Sequence, residues 1–281
     1  MKNFNLTKCL VASAVAGGLS LAPNGAQAAV SSNDLAIIGA DLTAKNGSEF
    51  FSWIALNDIA AGEVLYFTDS SYKSGGFEVK EGLFEYTVQA GGISAGTVIK
   101  VDNFNPPSGY TSPLNSAYHL NASIDFTTSG DQLLIFQDND ISDTAGFTAL
   151  WAVNLNTDNW TFPGPESGQS WSELYPGLTE GVNALALGLG DQTGDDSEGA
   201  RFVLPDSYGG NFVGTADELR ALIQNEANWE KLAETSTSGG FNESADWVIE
   251  GIGNVTIIPE PSSTSLLFLG ALGCLLRRKR S

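Results

Sequence analysis

The sequence predicts an all-β fold, an antiparallel β-sandwich with one short packed helix. Three observations predict it. Short runs rich in Ile, Val, Phe, Trp and Tyr recur along the chain. Clusters of Gly, Asn, Asp and Ser separate them, such as Asn46-Gly47, Ser74-Gly75-Gly76 and Asp138-Asn139-Asp140. Strand patterns do not alternate with helical ones, so a sheet wound with helices is not expected. The predicted strands cover residues 35–38, 51–56, 64–68, 83–88, 98–101, 132–136, 147–153, 184–189, 201–204 and 247–249. Side chains alternate along a strand, so Phe51, Trp53 and Ala55 share one face and are expected to look into the core.

The helix is announced by Thr215-Ala216-Asp217-Glu218, a capping box with Thr215 as N-cap and Glu218 at the third helical position. Leu219, Leu222 and Ile223 follow at helical spacing, which predicts a helix from about 216 to 226 lying against a sheet. A short echo is also visible. Ile59-Ala60-Ala61-Gly62-Glu63-Val64-Leu65 recurs as Ile93-Ser94-Ala95-Gly96-Thr97-Val98-Ile99. In each, Ala-Gly makes a turn that feeds a β-branched strand, with Gly supplying a positive φ. Two copies are too few for a solenoid or propeller.

Charge excludes several function classes. Of 281 residues, 33 are acidic and 13 basic, and six of the basic ones stand in the two terminal segments. Residues 29–258 keep 7 basic and 32 acidic side chains, a net charge of -25. Such a body is repelled by phosphate backbones, which argues against a nucleic-acid binder. With 42% apolar residues it is too hydrophobic for a disordered acidic chain. Both cysteines, Cys9 and Cys274, lie in the terminal segments, so the body has no disulfide, thiol nucleophile or thiolate-held metal. His119 is the only imidazole, and it stands in an ordinary loop-to-strand stretch.

Residues 1–28 read as a secretory signal peptide. Lys2 and Lys8 form its basic part, residues 9–21 its apolar part, and Ala26-Gln27-Ala28 fits small-x-small cleavage by signal peptidase after Ala28. At the other end, Pro259-Glu260-Pro261 precedes four small polar residues, the apolar run 266–276, and Arg277-Arg278-Lys279-Arg280. The run and the four residues before it would cover roughly 22 Å as a helix, short of the ~30 Å hydrocarbon core. The basic cluster would stay cytoplasmic and leave the body outside the inner membrane. Pro-Glu-Pro, a short Gly-containing apolar segment and a terminal Arg cluster, in that order over residues 259–281, resemble the PEP-CTERM sorting signal of Gram-negative bacteria. The resemblance implies a transient transmembrane helix, processing by an exosortase, and delivery to the cell surface or extracellular matrix.

The body carries a second, weaker resemblance. Residues 51–62, then Val64-Leu65-Tyr66-Phe67-Thr68-Asp69, Ile93-Ser94-Ala95-Gly96-Thr97-Val98, Gly130-Asp131-Gln132-Leu133-Leu134 and Asn225-Glu226-Ala227-Asn228-Trp229 are similar, in order, to secreted bacterial proteins with lamin-tail-like sandwiches. This implies a sandwich of surface or adhesive type. Residues 156–258 are either an elaboration of that sandwich or a small companion domain.

Candidate chemistry is sparse. Asp138, Asp140 and Asp143 lie in one loop, and loop carboxylates two apart can converge on Ca²⁺. The loop is not an EF-hand, because Asp143 stands where Gly is expected and Ala149 where Glu is required. A second acidic loop holds Asp191, Asp195, Asp196 and Glu198 around Gly194. Solvated turns are the alternative reading of both, since Asp is an ordinary turn former. Trp151, Trp160, Phe162, Trp171 and Tyr175 cluster near a Pro/Gly-rich stretch and serve either as core under a long loop or as sugar-stacking surfaces. Glu166, Glu173 and Glu180 suggest a glycosidase pair only if two of them face each other across a cleft. The expected function is a non-catalytic envelope or extracellular-matrix component in surface structure, adhesion, or binding of surface polysaccharide or calcium; a secreted carboxylate- or calcium-dependent hydrolase is the alternative.

Overall fold

The computed structural model describes residues 29–42, 49–73, 75–77, 81–102, 107–111, 124, 126, 131–143, 145–160, 172–188, 197–233 and 254–259. Its strands are β1 (Leu35–Asp41), β2 (Phe50–Ala55), β3 (Val64–Thr68), β4 (Tyr72–Lys73), β5 (Gly76–Phe77), β6 (Leu83–Thr87), β7 (Val98–Asp102), β8 (Tyr110–Thr111), β9 (Gln132–Gln137), β10 (Thr148–Asn154), β11 (Ala184–Ala186), β12 (Ser197–Phe202), β13 (Phe212–Gly214), β14 (Trp229–Ala233) and β15 (Val255–Ile257). One α-helix, α1 (Ala216–Gln224), is present among the described residues. A five-stranded sheet runs β14-β12-β1-β2-β7 and a six-stranded sheet runs β11-β10-β9-β3-β6-β8. The all-β sandwich expected from the sequence is therefore found. Its pairing is antiparallel except for β10–β11 and β13–β15, which are parallel. The predicted strand at 247–249 lies outside the described residues.

The sheets meet through a core built by strand alternation. From the five-stranded sheet come Leu35, Ile37, Phe51, Trp53 and Val101; from the other come Leu65, Phe67, Phe84, Leu133, Ile135 and Leu150. Phe67 touches both Phe51 and Trp53, with ring centroids 5.3 and 5.9 Å apart. Each such side chain removed from water contributes about 1.5–3 kcal/mol. The intervening residues Tyr66, Leu134, Phe136 and Ala152 join a second apolar cluster with Phe77, Trp160, Tyr175 and Leu178. Both faces of the six-stranded sheet are thus covered. β2 is also buried at every position, whereas the sequence led us to expect only Phe51, Trp53 and Ala55 inside. Lys100 lies over the Phe50 ring, 3.7 Å from its centroid, on the β7 strand beside it.

The sequence echo has a structural cause. Ile59 and Ile93 bridge to each other, N–H to carbonyl in both directions at 2.8 and 2.7 Å. Gly62 and Gly96 then turn at φ 89° and 84°. The first copy feeds β3 in one sheet and the second feeds β7 in the other. The helix begins as predicted. Thr215 accepts from the Glu218 N–H, and Glu218 accepts from the Thr215 N–H at 2.8 Å. It stops at Asn225, whose side chain accepts from the Ala227 N–H and starts a 3₁₀ turn. Its apolar stripe, Leu219 and Ile223, is buried, and α1 lies against β1 and β13.

Candidate functional site

A groove of about 500 Å³ opens where β3 begins and where the β9–β10 hairpin turns. Glu63, Val64, Tyr66, Gln137, Asp138, Asn139 and Thr148 line it. Alternation along β3 sends Tyr66 away from the inter-sheet core, and its cross-strand partner Phe136 packs the ring from one side at 5.3 Å. Burial, then the charges of Glu85 and Asp138, push the Tyr66 hydroxyl up to about 12, and a hydrogen bond to Glu85 acts in the same direction. The phenol is therefore neutral and a donor at physiological pH. Gln137 donates to the Glu63 carboxylate at 3.0 Å and to the Val64 carbonyl at 3.1 Å, which fixes its amide. The lining offers carboxylate and amide groups beside an aromatic ring, with no Lys, Arg or His among these residues. That chemistry accepts hydrogen bonds from hydroxyls and disfavours anions.

The hairpin holds the first set of predicted metal ligands. Asp138 Oδ1 accepts from the Asp140 N–H at 2.9 Å, Asp140 Oδ1 from the Ser142 N–H at 3.0 Å, and Asp143 Oδ1 from the Ala145 N–H at 2.7 Å. Each carboxylate thus builds a local turn two residues ahead. The side-chain and backbone hydrogen bonds from Ser142 hold the Asp140 carboxyl below its usual range. Among the described residues, no group of three His, Cys, Asp or Glu side chains is arranged to hold a metal. Of the second set, Glu198 falls on β12, while its side chain and Asp191, Asp195 and Asp196 lie outside the described residues. His119, Phe162, Glu166 and Trp171 also lie outside them, as do Ala26 and Ala28. Trp151, Trp160 and Tyr175 are core residues, at most 6% exposed. Glu173 and Glu180 both lie in the stretch between Ser172 and β11, where the Glu173 N–H donates to the Tyr72 carbonyl at 2.7 Å and Glu180 bridges to Ala184.

Sequence reasoning missed a buried polar network near the ends of β3 and β9. Asp69 and Asp131 are 0% and 1% exposed. Asp69 Oδ1 accepts from the Gly82 N–H at 2.7 Å, and Gln132 donates to the Asp69 carbonyl and to Asp131 Oδ1. Tyr175 reaches in from 105 residues away and donates to the Ser70 carbonyl at 2.9 Å. Its hydroxyl is pushed well up by burial, then by the charges of Glu81, Asp131 and Asp69, against a hydrogen bond with Ser172. The only trace in the sequence was Gly130-Asp131-Gln132 and Thr68-Asp69 at strand borders, which read equally well as turns. The network ties the 172–183 segment to the six-stranded sheet.

β15 is the last described strand before the C-terminal segment. Ile258 donates its N–H to the Gly214 carbonyl at 2.7 Å, and Pro259 is exposed at the end of the described residues. Glu260, Pro261, Arg277, Arg278, Lys279 and Arg280 lie outside them. Residues 258–280 match the family described as the PEP-CTERM protein-sorting motif. No curated protein and no solved structure matches the chain, so the lamin-tail-like resemblance gains no support from a relative. The chain therefore carries a PEP-CTERM protein-sorting motif, which implies export and membrane-associated sorting by exosortase.

Proposed function

We propose that the body is a non-catalytic cell-surface or matrix component that binds an extracellular polysaccharide through the groove beside Tyr66. The observation that carries this reading is the lining itself: Glu63, Gln137, Asp138, Asn139 and Thr148 around a neutral tyrosine. Sugar hydroxyls both donate and accept, and such a set of carboxylates, amides and hydroxyls satisfies them without a fixed positive charge. Export by a signal peptide at residues 1–28 and delivery beyond the membrane fit a polysaccharide-rich destination. Calcium held by Asp138, Asp140 and Asp143 belongs to the same proposal, because that loop borders the groove.

The test is a polysaccharide and glycan binding screen of the purified chain, with and without millimolar calcium. Asp138→Ala and Gln137→Ala should each weaken binding at least tenfold while leaving the melting temperature within a few degrees. No glycan bound under either condition, or binding untouched by both variants, sinks the reading.

A further inference from the structure

We propose that the outward face of the β13–β15 pair is a membrane-contact surface, resting on the lipid interface while the sorting tail is held in the bilayer. Four large apolar side chains are well exposed among the described residues, and three lie on or beside the β13–β15 pair: Tyr208 in the turn before β13, Val213 on β13 and Ile258 at the end of β15, at 38%, 62% and 49%. The register explains two of them. Val213 pairs with Thr256 in the parallel β13–β15 ladder, so both project from one face. Ile258, two residues on, continues that face. Their neighbours Phe212, Val255 and Ile257 turn the other way and pack on the core. Tyr208 lays its ring against Phe212, with centroids 5.7 Å apart.

Single exposed aliphatic residues are ordinary. What gives this strip a partner is where the chain goes next. From Pro259, only seven residues lead to Leu266, the first of the apolar run 266–276. Seven residues span at most about 25 Å fully extended. The apolar segment is itself shorter than the hydrocarbon core, and a short segment relieves mismatch by thinning the bilayer or drawing its flanks inward. Arg277 to Arg280 hold the far end at the opposite surface, so the body is the part that moves. The face brought down first is the one from which the chain departs. The occupant is an uncharged or zwitterionic interface, because a body of net charge -25 is repelled by anionic headgroups.

The experiment uses the full chain with Cys9 and Cys274 changed to Ser, reconstituted through its tail into phosphatidylcholine vesicles. One cysteine is introduced per variant, Val213→Cys, Ile258→Cys or Asp158→Cys, and carries an environment-sensitive fluorophore. Asp158 is an exposed control in the loop after β10. Emission from 213 and 258 should shift to the blue on reconstitution and be quenched by lipid-borne quenchers, with 158 unchanged. Equal emission at all three positions overturns the proposal. Adding Val213→Asp, a change on a solvent-facing site, should abolish the shift at 258; a shift that persists also overturns it. Anionic vesicles at low salt should give a smaller shift than neutral ones, and a larger shift there would refute the apolar contact.

Discussion

Trp53 donates its indole N–H to the Tyr110 hydroxyl across 2.9 Å, joining an inner strand of the five-stranded sheet to the edge strand of the six-stranded one inside the core. Trp53 is fully buried, Tyr110 is 8% exposed, and Tyr86 stacks on Tyr110 at 4.4 Å. The hydrogen bond gives the packing between sheets a direction that apolar contacts lack.

Tyr110→Phe keeps the ring and its stacking but leaves the indole N–H with no acceptor at that place. The cost should be about 1–3 kcal/mol, the penalty for an unsatisfied buried donor. Urea denaturation followed by Trp fluorescence measures it. Trp53→Phe should cost more, because it also removes buried apolar area. If Tyr110→Phe is neutral, the hydrogen bond does not contribute to stability.

Thr215→Ala removes the N-cap acceptor of α1 and should destabilise by about 0.5–2 kcal/mol. Thr215→Ser, which keeps the oxygen, should recover most of that. The pair distinguishes the cap from general effects of substitution, with the urea midpoint as readout.

The capping box and the β3 and β9 strands were legible because their signals are local. Residues 64–68 match β3 in full, and 132–136 fall one residue short of β9. β14 was not legible. Trp229-Glu230-Lys231-Leu232-Ala233 contains good helix formers, yet it pairs with β12, where Arg201 meets Glu230 at 2.6 Å. Tertiary pairing overrides propensity there. β15 was also hidden, since three residues carry no usable period and its partner β13 is remote in sequence; β11 falls within the predicted strand at 184–189, and only its parallel pairing with β10 was hidden. The groove was half legible: Asp138 stood out as a loop carboxylate, but only the Tyr66–Phe136 register brings an aromatic ring beside it. The Asp69–Asp131–Tyr175 network depends on contacts across about a hundred residues, which no motif spacing encodes.

Tyr66 makes stability depend on alkaline pH. Its hydroxyl has an ordinary value of 10 in the unfolded chain and about 12 in the fold, mainly through burial. The folded state therefore binds the proton more tightly. That contribution is complete below pH 10 and is lost as pH rises through about 12. Tyr86, Tyr110 and Tyr175, also pushed up by burial, act with the same sign. The urea midpoint should fall progressively above pH 10, and Tyr66→Phe should make that fall shallower. A Tyr66→Phe profile parallel to that of the unmodified chain would refute the assignment to Tyr66.

Gly62 and Gly96 occupy equivalent places in the sequence echo, with φ near 89° and 84°. Substitution by Ala strains both backbones, because a Cβ disfavours positive φ. Their surroundings differ. A Cβ at Gly62 meets nothing within 4 Å, whereas one at Gly96 lies 2.9 Å from the Val255 carbonyl oxygen. That oxygen is backbone of β15, the strand that hands the chain to the sorting motif. Gly62→Ala should thus cost only the conformational term, about 1–2 kcal/mol. Gly96→Ala should cost more and displace β15 from β13. Amide hydrogen exchange reads the difference. In Gly96→Ala the Phe212 and Ile258 amides, which donate to Asn254 and Gly214, should lose protection. In Gly62→Ala they should keep it. Equal protection in the two variants would mean that β15 tolerates the added methyl and that its docking does not depend on this close approach.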